Sequence, residues 1–231
     1  MKLLIVFVFL LLNLEGSGQD VPVIQPQIEQ PNIYTQEEQK YWEEAIDLLD
    51  QVGDGKANYG SLSPEKQQAI DSLELQMGPL THIVGCSWYC AGGPYEISAS
   101  SKLEIDFLTF EPENIHDFNL MTAWVPDTKK GVIAQQIHFH FEPFAPRVNE
   151  LRIYNGYIKN IDLWMANGRV AKFRLLINGE PKAILDLKDV TNAQIFSIDP
   201  VNSTTIGQDL IISLEILEVY PGTRYEDVAI S

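Results

Sequence analysis

Apolar residues recur at every second position in several short runs of this chain, and that period fits strands and excludes helices. Leu151 and Ile153 alternate with Arg152 and Tyr154, and Ala171, Phe173, Leu175 and Ile177 alternate with Lys172 and Arg174. Ile137, Phe139 and Phe141 are interleaved with His138, His140 and Glu142. Leu210, Ile212, Leu214 and Ile216 are interleaved with Ser213 and Glu215, and Ala183, Leu185 and Leu187 make one more short run. A strand turns successive side chains to opposite faces, so this spacing buries one face and leaves the other wet. Gly, Pro and Asn turns separate the runs and no helical period intervenes. The expected fold is therefore all-β, an antiparallel jelly-roll sandwich over residues 80–231.

The stretch before it has a different texture. Residues 1–18 read as a secretory signal: Lys2, an apolar core from Leu3 to Leu12, and the small residues Gly16-Ser17-Gly18. The apolar run is too short to span a bilayer, so no transmembrane anchor is expected. The expected location is secreted, periplasmic or extracellular. Residues 19–34, rich in Pro and Gln, read as an extended linker. Residues 35–79 read as a helical hairpin. Thr35 with Glu38 forms a capping box, Tyr41, Ala45, Leu48 and Leu49 give an apolar stripe, and Gly53 and Gly55 end the first helix. Pro64 opens the second helix, Ala69, Ile70, Leu73 and Met77 form its face, and Gly78-Pro79 stops it. Some forty residues bury too little to stand alone, so the hairpin packs on the sandwich or on a protein partner.

Composition removes some partners. The chain has 231 residues and a net charge of −16. Removing the signal takes one Lys and one Glu and leaves that charge unchanged. So acidic a chain repels phosphate backbones, which excludes nucleic acid as a partner, and it lacks a polybasic segment for anionic lipid. Export permits a disulfide between Cys86 and Cys90, the only two cysteines. Buried free thiols and redox chemistry remain the alternatives. The CSWYC spacing is not that of a thioredoxin-type motif, and no further Cys supplies a zinc site.

Candidate chemistry lies mostly in loops. Between the strand runs of residues 151–154 and 171–177 stands a loop carrying Tyr157, Lys159, Trp164, Asn167 and Arg169. Aromatics can stack on the C–H face of a sugar, and cations and amides can bond its hydroxyls. The alternative is that Tyr157 and Trp164 close the end of the core and Arg169 pairs with an acid such as Asp162. Asn114, Asp117 and Thr122 supply the hard oxygens that calcium takes; alternatively they form an Asx-type turn. His138 and His140 share a strand face and would need a third ligand for a metal; a polar strand face is the simpler reading. The loop from Asp50 to Ser61 echoes an EF-hand but lacks ligands at two key positions, which leaves an inter-helix turn. No Gly-x-Ser-x-Gly elbow or phosphate loop is present, and no catalytic constellation stands out.

An ordered series of motifs gives the sandwich a family. Asn114, Asp117 and Thr122-Ala123-Trp124 are followed by Asn155-Gly156-Tyr157, by Asn167-x-Arg169-Val170, and by Val219-Tyr220-Pro221-Gly222. From about Gly85 onward the chain resembles the discoidin-type, galactose-binding-like sandwich, in the variant called the NAD glycohydrolase translocation domain. The resemblance implies a jelly roll whose loops bind glycans or other cell-surface ligands, and it favours calcium at Asn114, Asp117 and Thr122. It does not imply hydrolysis of NAD, since the family's catalytic domain is a separate one. The expected function is that of an exported, non-catalytic binding module for carbohydrate; the alternative is a protein–protein adhesion or assembly module.

Overall fold

The computed structural model describes residues 21–31, 36–76, 93–105 and 108–231. The expected signal, Cys86 and Cys90 lie outside these residues. Strands are numbered in chain order: β1 Val23–Ile24, β2 Gln27–Pro31, β3 Glu96–Ala99, β4 Glu104–Ile105, β5 Leu108–Thr109 and β6 Gln136–Phe141. They continue with β7 Val148–Ile153, β8 Arg169–Ile177, β9 Glu180–Asp186, β10 Asn192–Val201 and β11 Leu210–Tyr220. Helices α1 Gln36–Gly53 and α2 Pro64–Gln76 form the hairpin, and α3 Ile161–Ala166 is a short helix within the long loop. No described helix is long and apolar enough to cross a membrane.

The strands build a sandwich. A six-stranded sheet in the order β1-β9-β8-β11-β6-β3 faces a three-stranded sheet in the order β2-β10-β7, and β4 and β5 form a small separate hairpin. Pairing is antiparallel throughout the main ladders, with β1 on β9 the one parallel contact among the named strands. The alternating residues behave as their period requires. Ile137, Phe141, Phe173, Leu175, Ile212 and Ile216 turn inward, and all are at most 3% exposed. Phe196 and Val148 meet them from the smaller sheet. Trp124 is fully buried at the margin of this core, and its indole N–H donates to Ser101 O at 3.0 Å. The last residues form a buried tail: Ile230 bridges both Trp124 and Asn155.

One element departs from expectation. The segment read as a linker is extended, but it pairs at both ends of its course. β1 adds to β9 on the large sheet and β2 adds to β10 on the small one, so the chain crosses from one sheet to the other. Main-chain hydrogen bonding needs no apolar pattern, which is why a Gln- and Pro-rich segment can take this role. Arg152 on β7 secures it with a bidentate pair to Glu29, its Nη2 donating at 3.0 Å. The helical hairpin holds a small core of its own, Ala45 and Ala69 with Ile46 and Leu49 against them, while Tyr41 is 46% exposed. The turn at residues 50–61 carries no cation-binding arrangement: Lys56 bonds Asp54, and Asn58 caps the following turn by accepting from Gly60 N.

Candidate functional site

Between the two sheets lies a cavity of about 450 Å³. One wall is the outer edge of β7, whose only strand partner among the described residues is β10. The opposite wall is the loop from Asn114 to Leu120, and Phe118, Phe139 and Leu151 are partly exposed apolar residues of the lining. Three strands cannot cover a sheet of six, so the loop and the C-terminal tail cover the remainder.

Local chemistry fixes this loop. Asp117 accepts from Asn119 N at 2.8 Å and from the Thr122 hydroxyl at 2.6 Å, and Asn114 Nδ2 donates to Ala123 O at 3.0 Å. The Asx turn holds Phe118 at φ 60°, a left-handed conformation that a bulky side chain rarely adopts. Phe118 thereby lines the cavity, its ring 5.2 Å from that of His116, and the His116 ring in turn is 6.5 Å from Phe139. Burial holds the His116 imidazole below its usual pKa. The mouth carries hydrogen-bonding groups: Asp117 and Asn119 on the loop, and Arg147, Asn149 and Glu150 at the start of β7. Arg147, Asn149 and Glu150 are exposed, and Arg147 forms no ion pair with a described carboxylate.

Asp117 and Thr122 are thus joined in an Asx-type turn, while Asn114 ties the same loop to Ala123 O. Calcium takes six to eight oxygens. Here one carboxylate is present, and both its oxygens already accept bonds from the loop itself. Among the described residues no group of three or more His, Cys, Asp or Glu could hold a metal ion. His138 and His140 lie on the outer face of the large sheet and bond Ser213 and Ser98 at 2.8 and 3.0 Å. That is the polar strand face.

The long loop brings its expected ligand residues together, with their polar groups turned on the protein. Arg169 opens β8 and is 7% exposed; its guanidinium donates twice to Asp189, at 2.9 and 2.8 Å, and also to Asn167 O and Pro221 O. Arg169 thus pairs with an acid, as the alternative reading had it, and that acid is Asp189, not the Asp162 given as an example. The guanidinium lies 4.7 Å from the centre of the Trp164 ring, and Trp164 Nε1 donates to Asn155 O at 2.9 Å. Asn167, 8% exposed, ends α3 by donating to Leu163 O. Tyr157 sits edge-on to Phe110 at 6.2 Å, and Lys159 reaches Glu43 of α1 at 3.6 Å. Asn155 is fully buried and clamps β8 by exchanging both amide bonds with Val170. Gly156, at φ 99°, is required there: a Cβ would stand 2.6 Å from Trp164 Cδ1. Trp164 packs on a small cluster of Leu120, Tyr154, Ile158 and Ala193, so this loop underpins the loop that walls the cavity. Of the cavity's lining, Asn114 and Asp117 were sequence candidates, whereas Phe118 and the β7 residues were not. Phe118 was available as an aromatic flanked by Asx residues, but the β7 contribution depends on tertiary pairing.

Comparison with known proteins bears on the same region. The family model of the NAD glycohydrolase translocation F5/8 type C domain matches residues 88–231. No curated protein sequence matches the chain. Among solved structures, it is similar to CpGH89CBM32-5 from Clostridium perfringens, solved in complex with GalNAc-β-1,3-galactose. Identity is 13%, covering 58% of this chain and 93% of that one, with a TM-score of 0.41. It is also similar to the CBM32-1 and CBM32-2 domains of Clostridium perfringens ZmpB in complex with GalNAc. There identity is 8%, covering 81% of this chain and 48% of that one, with a TM-score of 0.43.

Proposed function

The chain belongs to the NAD glycohydrolase translocation F5/8 type C domain family, and from that premise we propose that it is an exported, non-catalytic module that binds carbohydrate at the cavity mouth. The carrying observation is the cavity beside β7, where the Phe118 ring stands next to a rim of amide, guanidinium and carboxylate groups. A sugar offers an apolar C–H face and a ring of hydroxyls that both donate and accept, and this mouth supplies a partner for each. In this reading the ligand surface moves from Tyr157, Lys159, Trp164, Asn167 and Arg169 to the loop they support. Export rests on the signal-like residues 1–18.

A glycan array with the mature chain tests the proposal, followed by titration of the best glycan against Phe118→Ala and Asn149→Ala. Both variants are expected to lose at least tenfold in affinity with an unchanged melting temperature. An array without signal overturns the reading. A protein partner at the hairpin is the second reading, favoured by the exposed Tyr41 on α1. Deleting residues 36–76 separates the two: carbohydrate binding survives the deletion and a hairpin-mediated partner does not.

A further inference from the structure

Asn202-Ser203-Thr204 is the one Asn-x-Ser/Thr triplet among the twelve asparagines of the chain. In an exported protein such a triplet accepts an N-linked glycan, provided that it stands at the surface. The fold puts it there. β10 ends at Val201, and Asn202, Thr204 and Thr205 are exposed on the turn that leads to β11. That turn is closed by other groups: Gln208 N–H donates to Thr205 O at 3.1 Å, and the Ser203 hydroxyl donates to Gln208 O. Among the described residues none bonds the Asn202 amide. Asn155, Asn160 and Asn167 are instead buried and engaged as clamps and caps. A glycan on Asn202 therefore displaces no contact of the fold.

The turn between β6 and β7 supplies an independent observation. Ala145 N–H donates to Glu142 O at 3.1 Å, with Pro143 second and Phe144 third at φ 67°. This is the type II pattern, whose third position favours glycine. Phe144 N–H donates to Ser203 O at 2.8 Å, so this turn touches the middle of the triplet. The Phe144 ring is nevertheless 62% exposed, and Ile206 on the neighbouring turn is 86% exposed. A sugar presents C–H faces that can cover such side chains.

We infer that Asn202 is a site of N-linked glycosylation and that its glycan shields the turn of Phe144. The donor is an oligosaccharide carried on a polyprenyl diphosphate. Asn202 Nδ2 attacks the anomeric carbon, the new C–N bond replaces the C–O bond, and the lipid diphosphate leaves with the electron pair. Nδ2 gives up one proton to the transferase. The inference rests on the export reading and is independent of carbohydrate binding at the cavity mouth.

Secretion of the full chain from mammalian cells under its own residues 1–18, followed by peptide mass spectrometry, tests it. The Asn202 peptide is expected to carry a glycan, and peptide N-glycosidase in heavy-oxygen water is expected to leave a labelled Asp there. Asn202→Gln and Thr204→Ala should each abolish the modification, and Thr204→Ser should keep it. After glycan removal a hydrophobic fluorescent dye is expected to bind more strongly, and Phe144→Gly, which suits the turn, should remove that increase. A secreted chain with unmodified Asn202 overturns the inference and leaves export and carbohydrate binding intact. A chain retained in the cell overturns export and the inference with it. Equal dye binding before and after glycan removal overturns the shielding and leaves the modification site.

Discussion

Arg169 illustrates how residue type and residue role come apart. Its sequence neighbours, Asn167 and Gly168 before it and aromatics within reach, are those of a ligand loop. Its actual partner, Asp189, lies on a different connection, and no local pattern announces that pairing. The cations and aromatics of this loop were legible; the lock they form was not, because its charged partner Asp189 and the Pro221 carbonyl are distant in the chain. Trp164→Ala removes the ring beneath a buried guanidinium and is expected to lower stability by about 3 kcal/mol. Glycan affinity of the folded fraction should not change. Normal melting with lost binding would restore Trp164 to the ligand surface. Two histidines give a second prediction at this scale. Burial lowers the pKa of both His116 and His138, with His140 adding to the effect at His138. The neutral form is therefore favoured in the native state, and the unfolded chain takes up protons first as pH falls below about 6.5. Stability is full above that value and declines as pH drops toward the folded pKa. Melting curves between pH 7.5 and 5 should show this decline, and it should be shallower in His138→Gln. A flat profile for the unmodified chain would contradict the burial argument.

Among elements, the strongly alternating strands β6, β7, β8 and β11 were readable because polar residues such as His138, Arg152, Lys172 and Glu215 occupy the less buried face of each. β10 was not. Its residues Ala193 to Phe196 are buried on both faces, so no alternation marks them, and Pro200 within the same run argues against a strand. β1 and β2 escaped for the opposite reason: they are held by main-chain bonds and by Arg152 on Glu29, with little apolar signal. They nevertheless cover sheet edges, and uncovered edges invite association. Removing residues 1–31 exposes β10 and part of β9. The truncated chain should melt several degrees lower, at about 2–4 °C per kcal/mol for a domain of this size. It should also aggregate at concentrations where the full chain stays monodisperse. Glu29→Gln, which keeps the strand and removes the charge pair, should produce only a small part of the effect. Identical melting and light scattering for full and truncated chains would mean that the two strands contribute no stability.

For the whole molecule, charge governs how any metal experiment must be read. With 32 acidic and 16 basic residues, the folded chain repels itself, and screening should stabilise it. Raising sodium chloride from 10 to 150 mM should therefore raise the melting temperature. The Arg169–Asp189 pair, whose guanidinium is buried, is shielded from this effect more than pairs exposed at both ends such as Lys172–Glu218. Any divalent cation will stabilise such a chain without a site, so a rise with calcium alone proves nothing. The loop of Asn114, Asp117 and Thr122 offers one carboxylate whose oxygens are already engaged. A bound ion would have to displace the bond from Asn119 N or from the Thr122 hydroxyl. Calcium and magnesium at equal concentration should accordingly give equal melting temperatures, and EDTA should return both to the value set by ionic strength. Asp117→Asn should lower stability in all of these buffers alike, since it weakens the turn that holds Phe118. The opposite result is equally clear. If calcium raises the melting temperature beyond magnesium, and Asp117→Asn removes that excess, then the loop rearranges to bind calcium, and the Asx turn is its metal-free form.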